Sequence, residues 1–185
     1  MNLQSSWIKY GVMYGIAGIL LQLVMFYILP LGLWTQMLVG IAIMVVFFVL
    51  AGKAQRAENG GTLTYGEALK ITYLTGLVGA VIGGLFSIVL INLVDPSLVD
   101  KLTEMAMEST RSMMESFGTP EDVANDALDK VEEDMAGQFT PFGQLMTILK
   151  SALFMIIPAA LVSIFLKKEA DPNKLDLNDI SGNDA

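Results

Sequence analysis

Apolar residues in this chain gather into long unbroken blocks instead of recurring at the short periods of a soluble core. Residues 10–29 run for 20 positions without a charge, 31–52 for 22 and 71–94 for 24. A fourth block, 151–166, is 16 long. Phe142, Leu145, Met146, Ile148 and Leu149 extend it backwards past one charge, Lys150. A hydrocarbon layer needs roughly 20 apolar residues in a helix, because lipid offers no partner for an unpaired backbone group. The pattern predicts an all-α integral membrane protein with transmembrane helices at about 10–29, 31–52, 67–94 and 145–166. The first block has one preceding cation, Lys9, no A-x-A site after it, and a second span that follows at once. It reads as a retained helix and not a cleaved signal. Pro30 and Gly32 predict a tight turn and an antiparallel pair.

Between the third and fourth spans the pattern changes to an amphipathic one. Asp95-Pro96 predicts a cap and first helical position, and Leu98, Val99, Leu102, Met105, Ala106 and Met113 recur at helical spacing. Gly118 predicts a stop. Thr119-Pro120-Glu121-Asp122 predicts a second start, with acids where the helix dipole favours them and Val123, Ala127, Val131 and Met135 as its apolar face. The expectation is an acidic extracytoplasmic helical hairpin over 95–137. Thr64 with Glu67 three residues on predicts a capping box opening span three. One four-span domain would cover residues 1–170, with a polar, disordered cytoplasmic tail at 171–185.

Charge sets the orientation. Lys9, then Lys53, Arg56 and Lys70, then Lys167, Lys168 and Lys174 flank the spans on one side, and the one-to-two turn has no cation. Short cation-bearing loops stay cytoplasmic. Both termini are therefore expected in the cytoplasm of a bacterial cell, the chain in its cytoplasmic (inner) membrane, and the acidic segment outside. Trp7 and Trp34 would sit at opposite interfaces. Residues 95–141 hold twelve acids and three bases, and the whole chain carries −8. That balance argues against nucleic acid, whose phosphates need clustered cations.

Chemistry is restricted by what is missing. The chain has no Cys and no His. Thiol nucleophiles, His bases and Cys/His zinc sites are excluded. No catalytic residue, cofactor or metal site is expected. The outer methionines (Met105, Met107, Met113, Met114, Met135) could bind Cu(I) but read better as adaptable apolar surface. Glu132-Glu133-Asp134 lacks EF-hand spacing.

Small residues at close-packing spacing mark helix contacts: Gly11, Gly15 and Gly18 in span one, and Gly76, Gly79, Ala80, Gly83 and Gly84 in span three. Span three is expected to be central, with a dimer face as the alternative use of its glycines. Four polar side chains could carry function. Glu67 and Lys70 stand at i, i+3 and read as capping and snorkelling, or as a gating carboxylate. Lys150 snorkels or pairs with Asp95. Gln22 makes an interhelical hydrogen bond or lines a pore. Pro158 should bend span four.

Taken in order, the tripeptide Lys9-Tyr10-Gly11, the run LTYGEALK from Leu63 to Lys70, NLVDP from Asn92 to Pro96, the acidic Met-rich segment and the closing Lys167-Lys168 resemble a bacterial membrane family of domains of unknown function, number four-one-nine-nine. The resemblance covers about residues 5–168. It implies four spans and a membrane location, and supplies no catalytic residues.

The function expected is a non-enzymatic structural or interaction role. The lipid bilayer is the first partner, and a homo-oligomer or membrane protein would bind through residues 97–135. A small oligomeric transporter or channel is the alternative. A membrane enzyme using Ser87 or Ser163 has no base beside it in the sequence.

Overall fold

The structure, a computed structural model, describes residues 5–29 and 32–168. The turn expected at Pro30 and the tail expected after Ala170 lie outside the described residues. Helix α1 runs Ser6–Leu23 and continues through a π turn, Val24–Ile28; α2 runs Leu33–Glu58. Helix α3 runs Tyr65–Val89 and also ends in a π turn, Leu90–Val94. Then come α4 (Leu98–Ser116), α5 (Glu121–Gln138), α6 (Pro141–Phe154) and α7 (Ile156–Leu166). Among the described residues four helical segments are long and apolar enough to cross a membrane: Ser6–Ile28, Leu33–Glu58, Tyr65–Val94 and Pro141–Leu166. This is the build of a multi-pass membrane protein.

The fourth segment is α6 and α7 in sequence, interrupted at Met155. The break sits three residues before Pro158. Proline has no N–H and its ring crowds the carbonyl four residues back, here that of Phe154, so the regular ladder gives way just there. The N-terminal end of α6 lies earlier than the apolar pattern indicated. Thr140 caps it by accepting from the Gly143 N–H at 3.0 Å, and Pro141 takes the first helical position.

Helix α3 is central. It packs along α1, α2, α6 and α7. Glycines on both helices explain its close approach to α1. A Cβ on Gly11 would stand 2.7 Å from the Val78 Cβ, and one on Gly15 would stand 2.8 Å from the Ile82 Cβ. The Tyr14 ring lies directly over Gly79.

At the end where α2 stops and α3 starts (the proximal end), the helices close tightly. Phe48, Leu63, Ala68, Ala159, Val162 and Leu166 form a buried cluster. Leu63 and Lys168 exchange backbone hydrogen bonds, both 2.8 Å, so the α2–α3 connection is stitched to the residues after α7. Gly60 and Gly61 reverse the chain with φ of +70° and +95°. Within this end Thr72 Oγ1 and Ser163 Oγ lie 3.1 Å apart, with the Ala68 carbonyl 2.9 Å from the first and the Ala159 carbonyl 2.6 Å from the second, so the two hydroxyl protons are shared among the facing oxygen and the two helix carbonyls. Two hydroxyls are thereby kept satisfied without a charge or water.

At the distal end both π turns close with i→i−5 hydrogen bonds, Leu29 N–H to Val24 O at 2.8 Å and Asp95 N–H to Leu90 O at 2.7 Å. The Tyr27 hydroxyl donates to Asp95 Oδ2 at 2.8 Å and ties the two turns together. Leu90, Ile91 and Leu98 are buried there against Leu23, Phe26, Phe86 and Phe139.

Helices α4 and α5 pack on each other at this end. Two caps fall later than the sequence pattern suggested. The cap expected at Asp95 is instead at Ser97, because Asp95 and Pro96 are used in a turn whose Leu98 N–H reaches back to Asp95 O. The cap expected at Thr119 is at Pro120, because Thr119 belongs to the end of α4. Its N–H bonds to Met114 O at 3.0 Å, and the Gly118 N–H bonds to Glu115 O, also at 3.0 Å. With Gly118 at φ +66° this is a Schellman motif, so the stop expected at Gly118 is where it forms. The buried residue of α5 is Leu128, whereas Val123, expected on that face, is 49% exposed.

Candidate functional site

The proximal closure and the distal opening of the bundle together create a cavity. Helix α2 packs on α7, while α6, the other half of the same span, packs on α3 and α5. All four spans therefore border a space of about 400 Å³. Tyr14 and Met155 lie at its proximal side, and Gln22, Ser87 and Thr147 lie nearer the distal end. Gln22 Nε2 donates to Ser87 Oγ at 3.2 Å across the α1–α3 contact. No lining residue is charged.

Glycines give the cavity its width. A Cβ added at Gly18, Gly40 or Gly83 would meet nothing within 4 Å. For Gly18 and Gly83 this departs from the packing role expected of them, since both border open space. Ala80 also borders the cavity. Gly11, Gly15, Gly76, Gly79 and Gly84 each leave no room for a Cβ without a neighbour shifting. At Gly76 the neighbours are Met155 and Phe48, and at Gly84 the neighbour is Ile148. Identical spacing along the helix thus serves two ends, contact on one side and vacancy on the other.

The remaining polar candidates lie apart from this cavity. Glu67 forms the capping box: its carboxylate accepts from Thr64 N–H at 2.9 Å and from Thr64 Oγ1 at 2.8 Å. Asn59 Nδ2 adds a contact at 3.3 Å. Glu67 and Lys70 face a proximal cleft also lined by Trp7 and Glu58, where the Ser6 hydroxyl donates to Glu58. Lys150 is exposed on α6 and, among the described residues, makes no ion pair with Asp95, whose carboxylate is held by Tyr27 and Ser97. The Ser97 hydroxyl, then Tyr27, hold the Asp95 carboxyl below the usual aspartate range.

A family model described as protein of unknown function (DUF4199) matches residues 9–168. The chain belongs to this family. None of the curated proteins and none of the solved structures matches it. The DUF4199 match runs through all four candidate spans and through α4 and α5.

In this DUF4199 chain the charge is concentrated at the distal end. The twelve acids and three bases of residues 95–141 give −9, so the rest of the chain is close to neutral at +1. Asp100, Glu104, Glu108 and Glu132 border an open cleft between α4 and α5, with Arg111 among them. A second cleft separates α4 from the start of α2 and is lined by Leu33, Trp34, Met105, Met113 and Phe117. Trp34 is 61% and Phe117 is 79% exposed. Among the described residues no group of three or more His, Cys, Asp or Glu is placed to hold a metal ion.

Two features escaped the sequence pattern. The cavity did, because Gly18 and Gly83 continue the same small-residue spacing as Gly11, Gly15, Gly76 and Gly79. The partner of Gln22 did as well: the interhelical hydrogen bond expected as one use of Gln22 goes to Ser87, which no pattern pairs with it. The only available signal was that both polar residues stand one or two positions before the end of their regular helix.

Proposed function

We propose that this protein is a non-enzymatic, multi-pass interaction protein of the bacterial cytoplasmic membrane, with both termini cytoplasmic. On this reading α4 and α5 stand on the extracytoplasmic side as an acidic hairpin and form the partner-binding element. The observation that carries it is the segregation of charge. An excess of −9 is confined to residues 95–141, on two helices fixed to the distal ends of α1 and α3 through Leu98 and its neighbours. Acidic surface of this density attracts cationic partners and repels anionic ones. The partner is then a membrane or envelope protein with a basic face, contacting the exposed acids of α5 and the apolar edge at Met113 and Phe117. The cation distribution supports the orientation, since the proximal connections hold Lys53, Arg56, Lys167 and Lys168.

The test is photo-crosslinking in intact cells from probes placed at Ser112 and at the exposed Asp129. A discrete product is expected at both positions, lost when Glu132, Glu133 and Asp134 are replaced together by Lys. Those three residues are exposed, so the fold should survive their replacement. No product at either position, or a product indifferent to the charge reversal, would refute the proposal.

A second reading, a small oligomeric transporter or channel, is favoured by one observation, the cavity bordered by all four spans. Against a through-pathway stands the buried cluster of Phe48, Ala159, Val162 and Leu166 on its proximal side. Solute flux into liposomes above the level of empty vesicles, altered by Gln22→Leu, would favour this reading.

A further inference from the structure

The cavity lies at the depth where a membrane-spanning bundle meets hydrocarbon, and its surroundings decide what fills it. The faces flanking the gap are apolar and outward: Leu38 and Ile41 on α2, Leu145 and Leu149 on α6 are all exposed. In a bilayer these side chains touch lipid tails. The opening between α2 and α6 therefore faces acyl chains. The wall has no charge, so a charged solute would lose its hydration without compensation. Lining atoms next to an empty space forfeit their dispersion contacts, and packed proteins keep few such voids. The volume of about 400 Å³ exceeds the roughly 150 Å³ that accommodates a benzene and falls short of what a whole lipid needs. It suits a segment of one chain.

The polar side chains that line it are Gln22, Ser87, Thr147 and Ser151, with Tyr14 on the proximal side. Gln22 uses one amide hydrogen on Ser87. An amide side chain has a second hydrogen and an oxygen to offer. Gln22 and Ser87 lie six and seven residues inside the distal ends of their spans, about 10 Å along the helices below the level at which the ester or amide junction of a lipid chain resides. Tyr14 and Met155, deeper in, present ring and thioether surface.

We propose that the cavity between α2 and α6 is a lateral binding site for one acyl chain of a bilayer phospholipid, whose carbonyl junction stays at the membrane boundary above the Gln22–Ser87 pair. Gly18, Gly40 and Gly83 are then specificity positions, absent of side chain so that the chain can enter. The inference is independent of the partner proposed for α4 and α5.

The test uses the full-length protein in phosphatidylethanolamine–phosphatidylglycerol nanodiscs doped with a phospholipid bearing a diazirine midway along one chain. After irradiation, adducts are mapped by mass spectrometry. Adducts are expected at the cavity-lining Ile43, Thr147, Ser151 and Met155, in addition to the general belt at Ile41, Val81, Leu85, Leu149 and Leu153. Gly83→Leu fills the cavity without meeting a neighbour at its Cβ. It should lower the cavity adducts about tenfold, the effect of a single order in occupancy, and leave belt adducts and Tm unchanged. Gly40→Leu fills the space from the opposite wall and should act alike, so a folding failure in one variant leaves the other decisive. Equal cavity adducts in wild type and both filled variants would overturn the proposal. So would adducts confined to the belt, or flux of an uncharged solute abolished by Gly83→Leu in the absence of cavity adducts.

Discussion

Gln22 Nε2 lies 3.2 Å from Ser87 Oγ, joining α1 to α3 on the distal half of the interhelical cavity. A hydrogen bond between spans in lipid has no competing water, yet its net worth is modest because the separated helices also find partners. A double-mutant cycle on Gln22→Leu and Ser87→Ala should give a coupling of about 0.6 kcal/mol, and at most about 2 kcal/mol. Steric-trap or SDS-titration unfolding in bicelles reads it. A coupling of zero would mean that the two residues do not meet.

The two uses of glycine on α3 separate in a simple pair of substitutions. Gly79→Ala pushes a methyl group into the Tyr14 ring, which is itself packed near Phe47 and Phe48 at centroid distances of 5.9 and 6.4 Å. Overpacking of this kind costs about 1–3 kcal/mol. Gly83→Ala enters empty space and should be neutral, or stabilising by up to about 1 kcal/mol through helix propensity. Unfolding of both variants in the same bicelles checks the contrast, and equal destabilisation would contradict it.

The capping box at the start of α3 gives a third expectation. Thr64→Ala removes the acceptor for Glu67 N–H and a donor to its carboxylate. The cost should be about 0.5–2 kcal/mol, with Thr64→Ser close to wild type. Hydrogen exchange at residues 65–68 should rise selectively in the alanine variant.

Asp95 gives a pH dependence. Its carboxyl is held low, chiefly by Ser97 and then by Tyr27, so the charged form is favoured in the fold. Its contribution to stability is complete above the ordinary aspartate range and disappears as pH falls through the depressed folded value. Tyr27→Phe should shrink this acid-side loss without changing stability differences near neutral pH by more than the lost hydrogen bond. Identical acid profiles for both proteins would count against the Tyr27–Asp95 link.

The spans were legible because apolar blocks and backbone satisfaction in lipid admit few alternatives, and the helix ends were legible where chemistry is local, as at Thr64 with Glu67 and at Gly118. Starts that depend on tertiary use of the backbone were not. Asp95 is spent on a turn and on Tyr27, so α4 begins at Leu98. The Leu63–Lys168 pairing joins positions a hundred residues apart, and no short-range pattern encodes it. The cavity was illegible for a related reason. Glycine permits close approach and equally permits a void, and only the neighbours (Tyr14 at Gly79, nothing at Gly83) distinguish the two.

The central claim is that α4 and α5 lie outside a four-span, N-in bundle. With no native cysteine in the chain, Ser112→Cys and Ser181→Cys report one site each. A membrane-impermeant thiol reagent applied to intact cells should label position 112 and leave 181 unlabelled until the cells are broken. Labelling of 181 with protection of 112 would contradict the account, placing the acidic helices and their partner in the cytoplasm.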